Sequence, residues 1–398
     1  MFENIKIMLS GNLGKLAFLL VFIPFCSIIG FMPYYDWAYY LILLSVLVYG
    51  FVSSRSVSID IWMLMIMVAA LLSLFWGNPP AIFKSWERFV FFIVVISVIS
   101  PLITNHSFIR IRVLAFQWVL YLTCFIAISS FFCYFLGINY MRHYSIDNTA
   151  AGWFGGITVN SMILGPISTI STIYLLWLYF RKKNLQTRIK RILLLGGFFC
   201  SFCSVLLTAS RGSFVAVLVG IISVLYFSFR RNLMKLLRIF FLASLIMAVG
   251  FPIYAPLAKN LVIKQSANIE SGGTFSSRSS KWGNRIAEFK SSPIFGIGFA
   301  SVDSHNVGDY DGRTIEPGSS WLGVLSMTGM IGGISVLGLI TRCYVLLSRR
   351  IKCYESILLL SLLNTLIVHM MSEGYIFAAG SVLFFVFWLL VGVISVIK

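Results

Sequence analysis

The chain has 398 residues, of which 59% are hydrophobic and 11% charged, and its formal net charge is +18. A mean hydropathy of +0.92 excludes a soluble domain of this size and points to an integral membrane protein. No RNA- or DNA-binding module accompanies the positive charge, so it reads as topology determinants and contact with anionic lipid, with no nucleic acid as partner.

A membrane span needs about 20 apolar residues. Met1 to Gly14 is a short, weakly basic lead-in. The first run, 15–32, lacks a small-residue cleavage site and is expected to be a retained helix rather than a signal peptide. Runs at 37–53, 59–76, 86–103 and 111–136 follow. The segment 137–158 is a candidate functional loop carrying Arg142, His143, Asp147 and Asn148. A run at 159–180 leads to a basic connection at 181–191. The stretch 192–229 is about two spans long and predicts a hairpin of 192–208 and 212–229, broken at Ser210-Arg211-Gly212. Next comes 236–256, and after it the hydrophobic pattern stops. The last three runs are 319–341, 354–372 and 376–397. These boundaries predict one all-α polytopic membrane domain of about 12 helices.

Between helices 9 and 10 lies a polar segment, 257–318, with seven Lys/Arg and six Asp/Glu. A long charged loop on one side of such a protein is where chemistry or recognition is expected. Trp282, Ile286 and Phe289 recur at helical spacing within 276–289. They predict an amphipathic surface helix that displays Arg278, Lys281 and Arg285 toward headgroups or a ligand. Pro293 to Gly298 reads as a turn. Residues 299–318 carry Asp303, His305, Asn306, Asp309, Asp311, Arg313 and Glu316. Pro317-Gly318 closes the loop, and Ser319-Ser320 can cap the next helix.

Charge sets the orientation. With the N-terminus in the cytoplasm, cytoplasmic segments hold 20 of the 31 Lys/Arg and three acids, while the outer side holds 11 basic residues and ten acids. The positive-inside rule then places both termini in the cytoplasm and the long loop outside. None of the seven cysteines falls in that loop, so no disulfide framework is implied. Cys200 and Cys203 form C-x-x-C on a predicted span, where helix packing is the better reading. No cluster has metal-ligand spacing.

Ser210-Arg211-Gly212 at a helix junction, followed by a long outer loop, resembles the bacterial O-antigen ligase/O-antigen polymerase family. The loop pattern Arg278-x3-Trp282-x6-Phe289-x3-Pro293-Ile-Phe-Gly-Ile-Gly298 is similar to that family's. So are His305-Asn306, Trp321-Leu322, Gly329-Met-Ile-Gly332, Asn160 in Gly155-Gly-Ile-Thr-Val-Asn160, and Glu373 in His369-Met-Met-Ser-Glu373-Gly. The resemblance covers about residues 150 to 380. It implies a membrane glycosyltransferase of the bacterial inner membrane. Such an enzyme moves a saccharide from undecaprenyl diphosphate to an acceptor on the periplasmic face, and it needs no nucleotide sugar, no metal and no cofactor. The acceptor is a lipid-linked repeat in a polymerase or the lipid A core in a ligase. Membrane lipids are further partners, and there is room for a chain-length regulator.

The residue chemistry suits that reaction. A diphosphate beside a low-dielectric slab calls for fixed cations, and Arg pairs bidentately with phosphate oxygens. Arg211, Arg278 and Arg285 are the candidates to bind it. A histidine can take or orient the proton of an attacking hydroxyl near neutral pH, which points to His305. Asp303, Asn306, Glu316, Asn160 and Glu373 are candidates to orient it or to hold acceptor sugar. Each residue also has a plainer reading. Arg211 could snorkel, Arg278 and Arg285 could be solvated surface charges, and Glu373 could cap a helix end. For Trp282 an interface anchor is preferred to a sugar platform.

In ligase-like members His-Asn leads almost directly into the next helix, whereas here Val307 to Gly318 intervenes. Arg285 and Gly296 bracket ten residues, a spacing associated with polymerase loops. Polymerase is therefore preferred to ligase. The competing classes are a twelve-span transporter or lipid-linked sugar flippase, and a structural or partner-binding membrane protein. The chain shows no internal repeat of the kind transporters carry.

Overall fold

The computed structural model describes residues 11–53, 57–141, 153–181, 187–232, 234–239, 241, 249–270, 276–303, 315 and 317–396. Helices dominate. In chain order they are α1 (Asn12–Cys26), α2 (Asp36–Val52), α3 (Ile61–Gly77), α4 (Ser85–Ile99), α5 (His106–Phe135), α6 (Ser161–Phe180), α7 (Arg188–Leu207), α8 (Arg211–Phe229), α9 (Phe251–Glu270), α10 (Ser276–Ser291), α11 (Ser320–Arg349), α12 (Tyr354–His369) and α13 (Val382–Ile394). Two dipeptide strands, β1 (Ser58–Ile59) and β2 (Ile103–Thr104), pair antiparallel and tie the start of α3 to the start of α5.

Every expected span coincides with a helix where it is described, residues 240 and 242–248 of the run 236–256 lying outside the described residues. By length and composition, α5, α6, α7, α8 and α11 are, among the described residues, the helices able to cross a membrane, and α1, α2, α3, α12 and α13 are shorter apolar helices. The shortfall against about twelve full spans arises at the helix ends. The expected run 376–397 gives up its first residues to a non-helical link, 370–381, whose Tyr375 and Ile376 are buried, and Ser381 then caps α13 by accepting from Leu383 N. The run 15–32 ends early, because residues 28–30 turn to hydrogen-bond the backbone of 157–159.

The hairpin break at Ser210-Arg211-Gly212 is as expected. α7 ends at Leu207, Ala209 turns the chain with φ +53°, and Ser210 caps α8 by accepting from Ser213 N. Two expectations for the loop change. The chain does not leave helical structure at 257, because α9 continues through Pro256 to Glu270. Ser319 occupies the N-cap position of α11 without capping it, since its hydroxyl donates to Met370 O.

The core is a continuous apolar cluster centred on α13, whose residues Val382 to Ile394 are all buried. α5 packs on α1, α6, α7 and α13, α8 packs on α6 and α12, and α3 packs on α11. Close approaches occur where side chains are missing. α11 bends at Gly329 (φ +62°), and a Cβ there would collide with Ile294 O. A Cβ on Gly296 (φ +77°) would strike the backbone of Met327, and one on Gly77 the backbone of Ile297. The turn Pro293–Gly298 is thus wedged between α3 and the bend of α11, with Phe295 stacked on Trp76 at 4.7 Å. The glycines of the two resembling motifs meet here, backbone against backbone.

Candidate functional site

Five stretches converge at one end of the bundle: the start of α6, the α7–α8 break, α9, α10 and the link after α12. Arg211 is the first residue of α8, and its Nη1 donates to Gln265 Oε1 on α9 at 3.0 Å. Gly212 lets the link approach, since a Cβ there would collide with Ser372 Oγ. Arg278 on α10 pairs with Glu373 at 2.5 Å and donates to Gly318 O at 3.2 Å. Trp282 Nε1 donates to the same carbonyl at 3.1 Å, so this ring braces the end of the loop. That contact is neither of the two roles weighed for it.

A third cation joins them. Lys264, one residue before Gln265 on α9, lies over the Trp153 ring with its Nζ 4.2 Å from the centroid. Burial, then the charges of Arg211 and Arg278, push its pKa down to about 8, against a smaller opposing pull from Glu373. A lysine held beside two arginines suits the binding of a multivalent anion. Trp153 belongs to the short segment 137–158, which therefore reaches the site through its described end. Arg142, His143, Asp147 and Asn148 lie outside the described residues.

The remaining candidates divide. Glu373 is brought to Arg278, and its carbonyl accepts from Ser320 N and Oγ. Asn160 caps α6 by accepting from Met162 N at 2.8 Å, so its amide oxygen is engaged. Asp303 donates its backbone N–H to Glu288 Oε1 at 2.9 Å. His305, Asn306 and Glu316 lie outside the described residues.

Arg285 is a correction. It was expected on the displayed face with Arg278 and Lys281, and it is instead fully buried, paired with the buried Glu288 at 2.9 Å. Ile286, on the apolar face expected with Trp282 and Phe289, is 42% exposed. The helix is rotated because the backbone at Asp303 needs an acceptor that Glu288 supplies, and burying that carboxylate draws in its i−3 arginine. Arg285 therefore braces the entry to the His305 segment, away from a headgroup-facing surface.

His369 was not singled out from sequence. At the end of α12 it is 1% exposed. Its Nε2 lies 3.3 Å from Ser213 Oγ, which also accepts from Ser210 Oγ at 2.9 Å. Its Nδ1 finds no hydrogen-bond partner among the described residues. The chain Ser210–Ser213–His369 sits directly beneath Arg211 and fixes the break that presents it.

The geometry defines a helical membrane protein with a cluster of cations at one end of its bundle. Residues 196–337 match the family model described as O-antigen ligase. No curated protein matches the chain. The resemblance to O-antigen ligases and polymerases is thereby borne out over the stretch that holds Arg211, Lys264 and Arg278. The match supports an enzyme of the ligase/polymerase type with lipid-linked saccharides as substrates. Cys200 and Cys203 carry free thiols on α7, and no group of metal-ligating side chains occurs among the described residues.

Proposed function

We propose that this protein is a glycosyltransferase of the bacterial inner membrane. In this reading it has about twelve spans and cytoplasmic termini, and the cationic end faces the periplasm. The observation that carries the reading is the convergence of Arg211, Lys264 and Arg278, with the Glu373 carboxylate paired to Arg278. Three cations match the charge of a lipid-linked diphosphate and the charge that grows on it as it leaves. The acceptor hydroxyl oxygen bonds to the anomeric carbon of the donor sugar. The bond from that carbon to the diphosphate oxygen breaks, and undecaprenyl diphosphate departs with the electron pair. The hydroxyl proton passes to His305, two residues beyond the backbone anchor at Asp303. Asp303, Asn306, Glu316, Asn160 and Glu373 orient that histidine or hold acceptor sugar. Arg285 acts by holding Glu288, and no metal or nucleotide sugar takes part.

The preferred reaction is polymerisation of lipid-linked repeats of O-antigen, capsule or exopolysaccharide, because Val307–Gly318 separates His305-Asn306 from α11. A chain-length regulator would act beside such a polymerase. The second reading, transfer of the finished glycan to the lipid A core, is favoured by the description of the matching family model. Gene deletion, complemented with wild type, Arg211→Ala or His305→Ala, separates them on a surface-polysaccharide gel. A single repeat on the lipid A core in the deletion identifies a polymerase, and polymer retained on the lipid carrier identifies a ligase. A wild-type ladder from both well-expressed variants overturns the catalytic assignment and returns the flippase or structural readings.

A further inference from the structure

A second concavity lies beside the cation cluster. It is a cavity of about 630 Å³ between the start of α2, α4, the first turns of α11 and the link 374–381. Two dipeptides separate the two places. Gly318 O and the Glu373 carboxylate hold Arg278, while their chain neighbours Pro317 and Gly374 line the cavity. Pro317 and Gly374 are packed so closely that a Cβ on Gly374 would overlap the proline ring. One residue layer therefore divides the cations from the cavity.

The walls have the mixture that recognises sugar. Tyr40 and Phe91 stack at 4.7 Å, giving an aromatic surface for the apolar faces of pyranose rings. Asp36, which accepts from the Tyr34 hydroxyl, and Arg88 supply a carboxylate and a guanidinium for hydroxyl groups. The link from 374 to 381 is non-helical and brings turn backbone to the wall. The volume falls within the roughly 300–1,000 Å³ range of sites for small organic ligands. One carboxylate and one guanidinium do not suit a diphosphate, which calls for several cations.

We infer that this cavity binds the acceptor saccharide, one to a few sugar units presented to the donor across the Pro317–Gly374 layer. The inference rests on the reading of Arg211, Lys264 and Arg278 as the donor site. It assigns to Asp36, Tyr40, Phe91 and Arg88 a role that neither the motifs nor the family match, which begins at residue 196, gives them.

The test uses full-length protein in lipid nanodiscs. Two probes are titrated: oligosaccharides of one to three repeats released by mild acid from the producing strain's own surface glycan, and inorganic pyrophosphate. Ala379→Trp fills the cavity, Arg88→Gln and Tyr40→Phe change it mildly, and Arg211→Ala alters only the cation cluster. The expected result is that Ala379→Trp and Arg88→Gln weaken oligosaccharide binding by about tenfold or more and leave pyrophosphate binding unchanged. Arg211→Ala should do the reverse. Absence of oligosaccharide binding in the wild type, or unchanged binding in monodisperse Arg88→Gln, overturns the inference. So does photo-crosslinking of a polyprenyl chain to Tyr40 and Phe91 that Ala379→Trp abolishes, since the cavity would then hold lipid. If pyrophosphate binding ignores Arg211→Ala, the donor reading fails separately, whatever the oligosaccharide does.

Discussion

The two ends of the bundle use arginine for different purposes. At the end formed by the start of α5 and the close of α6, three arginines sit on local partners. Arg112 is buried and donates to the carbonyls of Val98, Ser97 and Ile103 at 2.8, 3.3 and 2.6 Å. Arg181 pairs with Glu355 at 3.5 Å and lies over Trp177, and Arg342 pairs with Asp60, the cap of α3. At the other end, Arg211, Lys264 and Arg278 lie together with the one carboxylate of Glu373, and the two arginines add to the cost of charging Lys264. Cations that tie helices together are matched one to one, whereas a surplus held together in a half-buried place points to a negative ligand.

Removing Arg112 should do the most damage and touch the chemistry least. Arg112→Ala leaves three buried carbonyls without a donor and should destabilise the fold by about 3–5 kcal/mol, read as lost detergent-resistant yield and a lower Tm. If Arg112→Ala folds normally and lowers turnover selectively, the contrast between the ends collapses. Arg278→Ala should leave folded yield near wild type and reduce glycan transfer by about 100-fold or more, with Arg278→Lys recovering only part of it. Equal loss of yield and activity would make Arg278 another structural tie.

Lys264 sharpens the comparison through pH. Its pKa in the folded protein, about 8, lies below the ordinary lysine value. From about pH 8 upward the unfolded chain retains a proton that the folded protein has released, so stability of the empty protein rises with pH through that window. Anion binding runs the opposite way, because it uses the charged form. Pyrophosphate affinity at fixed ionic strength should fall between about pH 7 and 9, and Lys264→Met should bind more weakly with this fall removed. A wild-type pH profile surviving in Lys264→Met would take the lysine out of the site. The smallest effect is expected of Glu355→Gln at the opposite end, under about 1 kcal/mol, because the pair it breaks is partly exposed.

Much of this contrast was legible in the sequence, and what was missed has physical causes. Arg211 stood out because a charge between two apolar runs is costly to place, and the break around it followed from run length. Arg278 followed from the loop pattern. Lys264 was hidden because the apolar pattern was taken to end at 256. The sign of continuation was Leu257, Leu261, Val262 and Ile263, which carry α9 past Pro256. His369 was hidden because a lone histidine at the end of an apolar run reads as core, and its partner Ser213 is 156 residues away in sequence. Arg285 misled because Trp282, Ile286 and Phe289 gave a hydrophobic face, while the competing i,i+3 pair with Glu288 was the buried one. Residues 370–372 and 376–381 of the link were read as helix because most of them are apolar, and hydrophobicity does not distinguish a buried turn from a span.

The wedge of Pro293–Gly298 bears on how such proteins can be recombined. A loop held only at its two ends could be exchanged between relatives like a cartridge. This one is keyed into the helices at Gly77 and Gly329. A chimera that imports residues 257–318 into a frame with alanine or larger at either position would seat the loop off register and carry Arg278 away from Glu373. The transplantable unit is the loop together with α3 and the bent half of α11.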